Sequence, residues 1–114
     1  MFVNPKAARC DSVAIVGKPI PIILNRNRVI MRQDIEFQSR GLKCRGWLYV
    51  PNESAVKQLM PAIVMAHGIS AVKEMFQLSS YAERFEEAGF VTLVFDYRFL
   101  GASDGSPRGQ IIPP

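Results

Sequence analysis

Pro61-Ala-Ile-Val-Met-Ala-His-Gly68, the stretch from Leu78 to Gly89, and Phe90-Val-Thr-Leu-Val-Phe-Asp96 decide the fold of this 114-residue chain. The first run is continuously apolar from Ala62 to Ala66 and stops at His67-Gly68. That is the pattern of a strand buried on both faces of a parallel sheet. In the second run Leu78, Tyr81, Ala82, Phe85 and Ala88 recur at helical spacing, while Glu83, Arg84, Glu86 and Glu87 lie off that stripe. Ser80 and Glu83 stand at capping-box spacing, and Gly89 is a natural helix stop. The third run is a second buried strand, closed by Asp96. Strand, helix and strand make a βαβ unit, whose crossover is expected to be right-handed.

Upstream, Asp34-Ile-Glu-Phe-Gln38 alternates polar and apolar residues, as a half-buried strand does. Arg40-Gly41 reads as a turn, and Arg45-Gly-Trp-Leu-Tyr-Val50 as a second strand ended by Pro51. Asn52 to Met60 reads as a loop. A hairpin followed by a βαβ unit predicts an α/β fold with a mixed, mostly parallel sheet. Residues 1–30 are patterned poorly. Ser12 to Leu24 is apolar, but Gly17, Lys18, Pro19 and Pro21 interrupt it, and those prolines forbid a continuous helix. The apolar run also comes too late for a good signal peptide. The expected organisation is an extension over 1–30 and a domain portion over 31–114.

Composition narrows the function classes. The hydrophobic fraction is 48% and the charged fraction 21%, ordinary for a soluble globular chain. No apolar run approaches the ~20 residues of a membrane-spanning helix. The net charge of +4 is uneven, +6 over residues 1–46 and −2 over 47–114. The basic residues are scattered, without the helix or stacking pattern of a nucleic-acid face, so neither nucleic acid nor membrane is expected as a partner. Cys10 and Cys44 make no disulfide framework. His67 is the one histidine, so no metal site is expected, and no cofactor. A Cys44/His67 pair is the single thiol arrangement the chain offers. The default compartment is reducing and cytoplasmic.

The ordered set of features resembles a known family. It runs hairpin, apolar strand ending His67-Gly68, loop, helix ending Glu87-Ala-Gly89, apolar strand ending Asp96-Tyr-Arg98, then Gly101-Ala-Ser-Asp-Gly105. It is similar to the start of the α/β hydrolases, especially the dienelactone-hydrolase-like, Xaa-Pro-dipeptidyl-peptidase-like and serine-aminopeptidase-like branch. The resemblance covers roughly residues 32–110. It implies a partial α/β-hydrolase fold and an oxyanion-hole loop at Gly68 and Ile69. There the Ile69 N–H would face the developing negative charge of a tetrahedral intermediate. It also implies structural loop roles for His67, Asp96, Arg98 and Asp104. Phe99 stands where the epoxide-hydrolase-like branch has a glycine, which argues against that branch.

Gly101-Ala-Ser-Asp-Gly105 spells G-x-S-x-G, the nucleophile-elbow string, and would name Ser103 as nucleophile. An elbow needs a strand running into its first glycine and a helix starting after its serine. Here the strand ends near Asp96, and Gly109 and Pro113-Pro114 leave no length for a helix. Ser103 is therefore read as a decoy in a structural loop, and no residue is assigned as catalytic. The expected function is that of the N-terminal portion of a serine hydrolase or acyltransferase acting on ester, amide or thioester bonds, truncated before its triad. The alternative is a non-enzymatic remnant that binds or interacts. The expected partners are a small acyl substrate in a full-length relative and a second copy of the chain, pairing through the uncharged edge of Ala62 to Ala66.

Overall fold

A computed structural model describes residues 2, 3, 13–24, 28–51 and 59–112. The elements follow in the order β1 (Phe2–Val3), β2 (Val13–Leu24), β3 (Arg28–Ser39), β4 (Leu42–Val50), β5 (Met60–Ala66), α1 (Leu78–Glu87) and β6 (Val91–Phe95). They build one mixed sheet with spatial order β1-β5-β6-β4-β3-β2. Among the described residues only β5 and β6 run parallel, with Ala62 opposite Val91 and Ala66 opposite Phe95. The α/β class, the mixed sheet, the hairpin and the βαβ unit are thus as the sequence implies, but the described sheet is mostly antiparallel where a mostly parallel one is expected, because one βαβ unit supplies a single parallel pair and the other strands join it antiparallel.

The β3–β4 hairpin turns on Arg40 and Gly41, whose φ values of 48° and 78° are both positive. Two such residues match the right-handed twist of the flanking strands. The register then carries from Ser39 opposite Leu42 to Met31 opposite Val50. β3 begins at Arg28, so the boundary expected after residue 30 falls inside a strand, and Ile30 is fully buried in the core. The proline-bearing stretch upstream forms β2, paired with β3 and shifted in register between Val16 and Ile20. Prolines that exclude a helix are compatible with this place, because among the described residues β2 is an edge strand with no strand paired on its outer side.

Helix α1 starts at Leu78, ahead of the Ser80–Glu83 capping-box spacing, behind Gln77 at φ 54° and without a side-chain cap bond. Its C-terminal end is a Schellman motif. Gly89 N–H donates to Glu86 O at 2.9 Å and Phe90 N–H to Phe85 O at 3.0 Å, with the Phe85 and Phe90 rings 6.5 Å apart. The inward line of the helix is half-buried Leu78 with buried Ala82 and Glu86, four residues apart. Ala82 packs with Ile30, Tyr49 and Val94, and Trp47, Met65 and Leu78 close around them. Two expectations are corrected here. Glu86, placed on the solvent face by the stripe, is 1% exposed, whereas Tyr81 is 58% exposed. The helix docks a few tens of degrees away from the face its apolar residues alone select.

A second cluster of Val50, Met60 and Val91 holds the start of β5 to the sheet. Beyond it, β5 is less buried than its composition implies: Val64 is 50% exposed. Among the described residues α1 is the one helix, and it packs on β6 and β4. On the outer side of β5, β1 pairs only with Met60 and Pro61.

Candidate functional site

The parallel pair β5–β6 sends two loops out of the same end of the sheet, the place where open α/β sheets bind ligands. His67, Gly68 and Ile69 leave β5; Asp96, Tyr97 and Arg98 leave β6. Between them and the turn end of the hairpin lies a cavity of about 570 Å³. Gly68, Ile69, Phe95, Tyr97 and Arg98 line it, with Phe37 and Cys44 from β3 and β4 and Ile111 and Ile112 from the C-terminal segment. Gly68 and Ile69, expected to form the oxyanion loop, are therefore on the wall of the cavity. Ile69 is 85% exposed, and its N–H has no hydrogen-bond partner among the described residues.

His67 ties the two strand ends together. Its Nε2 accepts from Tyr97 N–H at 3.3 Å and its Nδ1 donates to Gly68 O at 3.0 Å. This bonding pattern assigns the ring proton to Nδ1. The Nε2 lone pair is then taken up by backbone, although Asp96 Oδ1 lies 3.7 Å away. The imidazole also packs edge-on against Tyr97 at 5.0 Å. Both ring nitrogens are thus engaged by backbone.

Asp96 is the hub behind the cavity, with no exposed surface. Its Oδ1 accepts the Lys73 N–H at 2.7 Å. Its Oδ2 accepts Lys73 Nζ at 2.7 Å and the Ala102 N–H at 2.9 Å. One carboxylate thus pins the loop after β5 and the loop after β6 to each other. Burial works against the Lys73 charge, but the hydrogen bonds and charges of Asp96 and Glu74 outweigh it and hold its pKa above the ordinary lysine value. Lys73 also lies 4.9 Å from the Trp47 ring centroid. Nothing in the sequence pattern singles out Lys73, because its partner is 23 residues away and only the βαβ crossover brings the two together.

The G-x-S-x-G string is accounted for by the same hub. A Cβ on Gly101, at φ 52°, would lie 2.3 Å from the Asp96 carboxyl, so only glycine fits there. Ser103 is 2% exposed. Its Oγ donates to Asp96 O at 2.7 Å and accepts from Arg45 N–H at 2.9 Å. Gly105 lets the Phe99 ring lie against the backbone. No helix follows Ser103; the helices among the described residues end with α1.

Asp104 pairs with Arg45 at 2.8 Å, and Arg45 reaches Glu36 at 2.9 Å and the Ala102 carbonyl. Hydrogen bonds to Asp104 and Glu36 raise the Arg45 pKa. Arg98 donates to Ile112 O at 3.1 Å and so fastens the C-terminal segment, not the 101–105 loop. The arginine that spans that loop is Arg108, which donates to the carbonyls of Gly101, Ser103 and Gly105. Sequence reasoning missed Lys73, Arg45 and Arg108. Cys44 is buried, and desolvation pushes its thiol pKa up despite the opposing Ser103 hydrogen bond and Arg98 charge. A thiol in that state is a poor nucleophile. Cys10 lies outside the described residues. Among the described residues, no three His, Cys, Asp or Glu side chains converge to hold a metal ion, and no helix is long and apolar enough to cross a membrane.

A crystal structure of the α/β hydrolase GrgF from Penicillium sp. superposes with a TM-score of 0.59 and 40% identity, over 68% of this chain and 25% of that one. The chain carries the N-terminal part of the α/β-hydrolase fold. This α/β-hydrolase segment is also 44% identical over 75 residues to the quorum-quenching protein AidA of Acinetobacter baumannii, covering 66% of the chain and 23% of AidA. It is 45% identical over 83 residues to a thiohydrolase of Eupenicillium brefeldianum, covering 72% of the chain and 25% of that protein. Fungal polyketide transferases match as well. The relatives are thus of hydrolase and acyltransferase type, and the chain spans about a quarter of their length. A scan against protein-family models returns no match.

Proposed function

We propose that this segment supplies the oxyanion loop and one wall of the acyl site of a serine-type hydrolase or acyltransferase, acting on ester, amide or thioester bonds. The observation that carries the reading is the pairing of an exposed Gly68-Ile69 loop with an apolar cavity at the strand ends, while the one serine in an elbow-like string is buried and bonded on both sides. In this reading a serine outside residues 1–114 attacks the acyl carbon. The carbonyl oxygen takes up negative charge, and the Ile69 N–H donates to it together with the N–H following that serine. A donor fixed in advance is worth roughly 10²–10³ in rate. Asp96 and Lys73 hold the loop that carries it. Among the described residues Ser103, the one serine in an elbow-like string, is bonded to backbone and has no positioned base, and a serine without one is weak.

The test is hydrolysis of a 4-nitrophenyl ester and of an acyl thioester by residues 1–114 and by Ser103→Ala. The expected result is no turnover beyond the uncatalysed rate in either. A burst of 4-nitrophenol in the parent, absent from Ser103→Ala, would refute it. Reading the coding sequence beyond Pro114 tests the other half. A strand-Gly-x-Ser-x-Gly-helix segment there supports the proposal, and an open frame with none defeats it.

A further inference from the structure

We infer that the cavity at the strand ends binds an amphiphilic carboxylate, with an aliphatic tail in the cavity and its carboxylate on Arg98. Its volume of about 570 Å³ falls within the ~300–1,000 Å³ range of small-molecule sites. Its lining is dominated by apolar and aromatic groups, Phe37, Ile69, Phe95 and Tyr97 among them, which suits an alkyl chain and offers a polar ligand little. Phe95 is held edge-on between Phe37 and Tyr97, at 5.6 and 5.2 Å, so this wall is formed before any ligand arrives.

The sign of the head group follows from the charges. Arg98 is the one Lys, Arg, Asp or Glu in the lining. The neighbouring carboxylates are committed elsewhere: Asp96 to Lys73 at 2.7 Å, and Asp104 to Arg45 at 2.8 Å. Among the described residues no carboxylate lies within ion-pair distance of Arg98, whose side chain makes one hydrogen bond, to the Ile112 carbonyl. Among the described residues the rest of the guanidinium fork has no partner, and its planar geometry matches a carboxylate. The inference concerns binding alone and stands whether or not the acyl-transfer reading does, because it needs no nucleophile.

The experiment titrates residues 1–114 with decanoate below its micellar concentration, followed by amide chemical shifts, with decanol as the uncharged control. Decanoate should bind saturably and shift Gly68, Ile69, Phe95, Tyr97 and Arg98. Arg98→Gln should weaken decanoate about tenfold and leave decanol unchanged, and Arg98→Lys should recover part of the loss. Since Arg98 also fastens the C-terminal segment, Tyr97→Ala serves as the second variant and should weaken decanoate and decanol alike. Absence of saturable binding, shifts lying elsewhere on the surface, or an Arg98→Gln loss shared equally by both ligands would each overturn the inference.

Discussion

Replacing Asp96 with asparagine probes the arrangement that holds both loops. The substitution keeps shape and removes one charge. Asp96 receives three donors, and its neighbour Lys73 has a side chain only 5% exposed. At 2.7 Å and an effective dielectric of ~20, the Lys73–Asp96 attraction is roughly 6 kcal/mol before desolvation is counted. The variant keeps one amide oxygen for the Oδ2 position, but its amide nitrogen then faces the Lys73 N–H, donor against donor. Glu74, 2.7 Å from Lys73 Nζ but half exposed, recovers part of the charge compensation. Breaking a buried pair by removing one partner costs ~3–5 kcal/mol. Against a total of ~5–15 kcal/mol that is a large share. Urea unfolding followed by Trp47 fluorescence should show a fall in midpoint of that size. Lys73→Met added to Asp96→Asn should restore stability, because it removes the uncompensated ammonium. A cost for Asp96→Asn under ~1 kcal/mol, or a double variant weaker than the single one, would refute the reasoning.

Alkaline pH should destabilise the chain. The thiol of Cys44 and the phenol of Tyr49 are raised mainly by burial, and Lys73 by its carboxylates in spite of burial. A raised group contributes stability that is whole below its unfolded pKa and is lost as pH climbs through the folded one. Thermal midpoints should therefore be flat near neutrality and fall above pH ~9, beginning with the thiol; Cys44→Ala should delay the onset, and an unchanged onset counts against the assignment. Self-association is expected through the outer edge of β5, where β1 pairs only with Met60 and Pro61 and Val64 is 50% exposed. Sedimentation at micromolar concentration should show species larger than a monomer, reduced in Val64→Lys; a monomeric parent contradicts this. Deleting residues 1–27 should leave cooperative unfolding, while deleting 1–30 should cost a further ~2–5 kcal/mol because Ile30 is fully buried. Equal midpoints for the two deletions would show that Ile30 is dispensable.

Local pattern was enough for much of the fold. Two continuous apolar runs flanking a helical period determine a parallel pair with a helix between, because no other arrangement buries both runs and spans that distance. Arg40-Gly41 determines the hairpin turn, and Gly89 the helix stop, since each demands a backbone conformation few residues adopt. The string at Gly101 to Gly105 could be set aside as an elbow from the missing helix alone. What the string is for was not legible. Gly101 is glycine because the Asp96 carboxyl sits where its Cβ would be, and Ser103 is buried because it bridges Asp96 and Arg45, contacts across 7 and 58 residues of sequence. Lys73, Arg45 and Arg108 read as ordinary surface cations until the fold supplies their partners. The buried face of α1 was likewise set by docking: Glu86 goes inward and Tyr81 outward because the helix sits on Val94 and Tyr49 in one orientation, and a ten-residue helix cannot hold its own rotation against a packed sheet. Periodicity and turn chemistry act between neighbours in the chain, so the sequence carries them directly. Charge pairing, burial and the Arg98 cavity are sums over residues far apart, and only the folded chain adds them together.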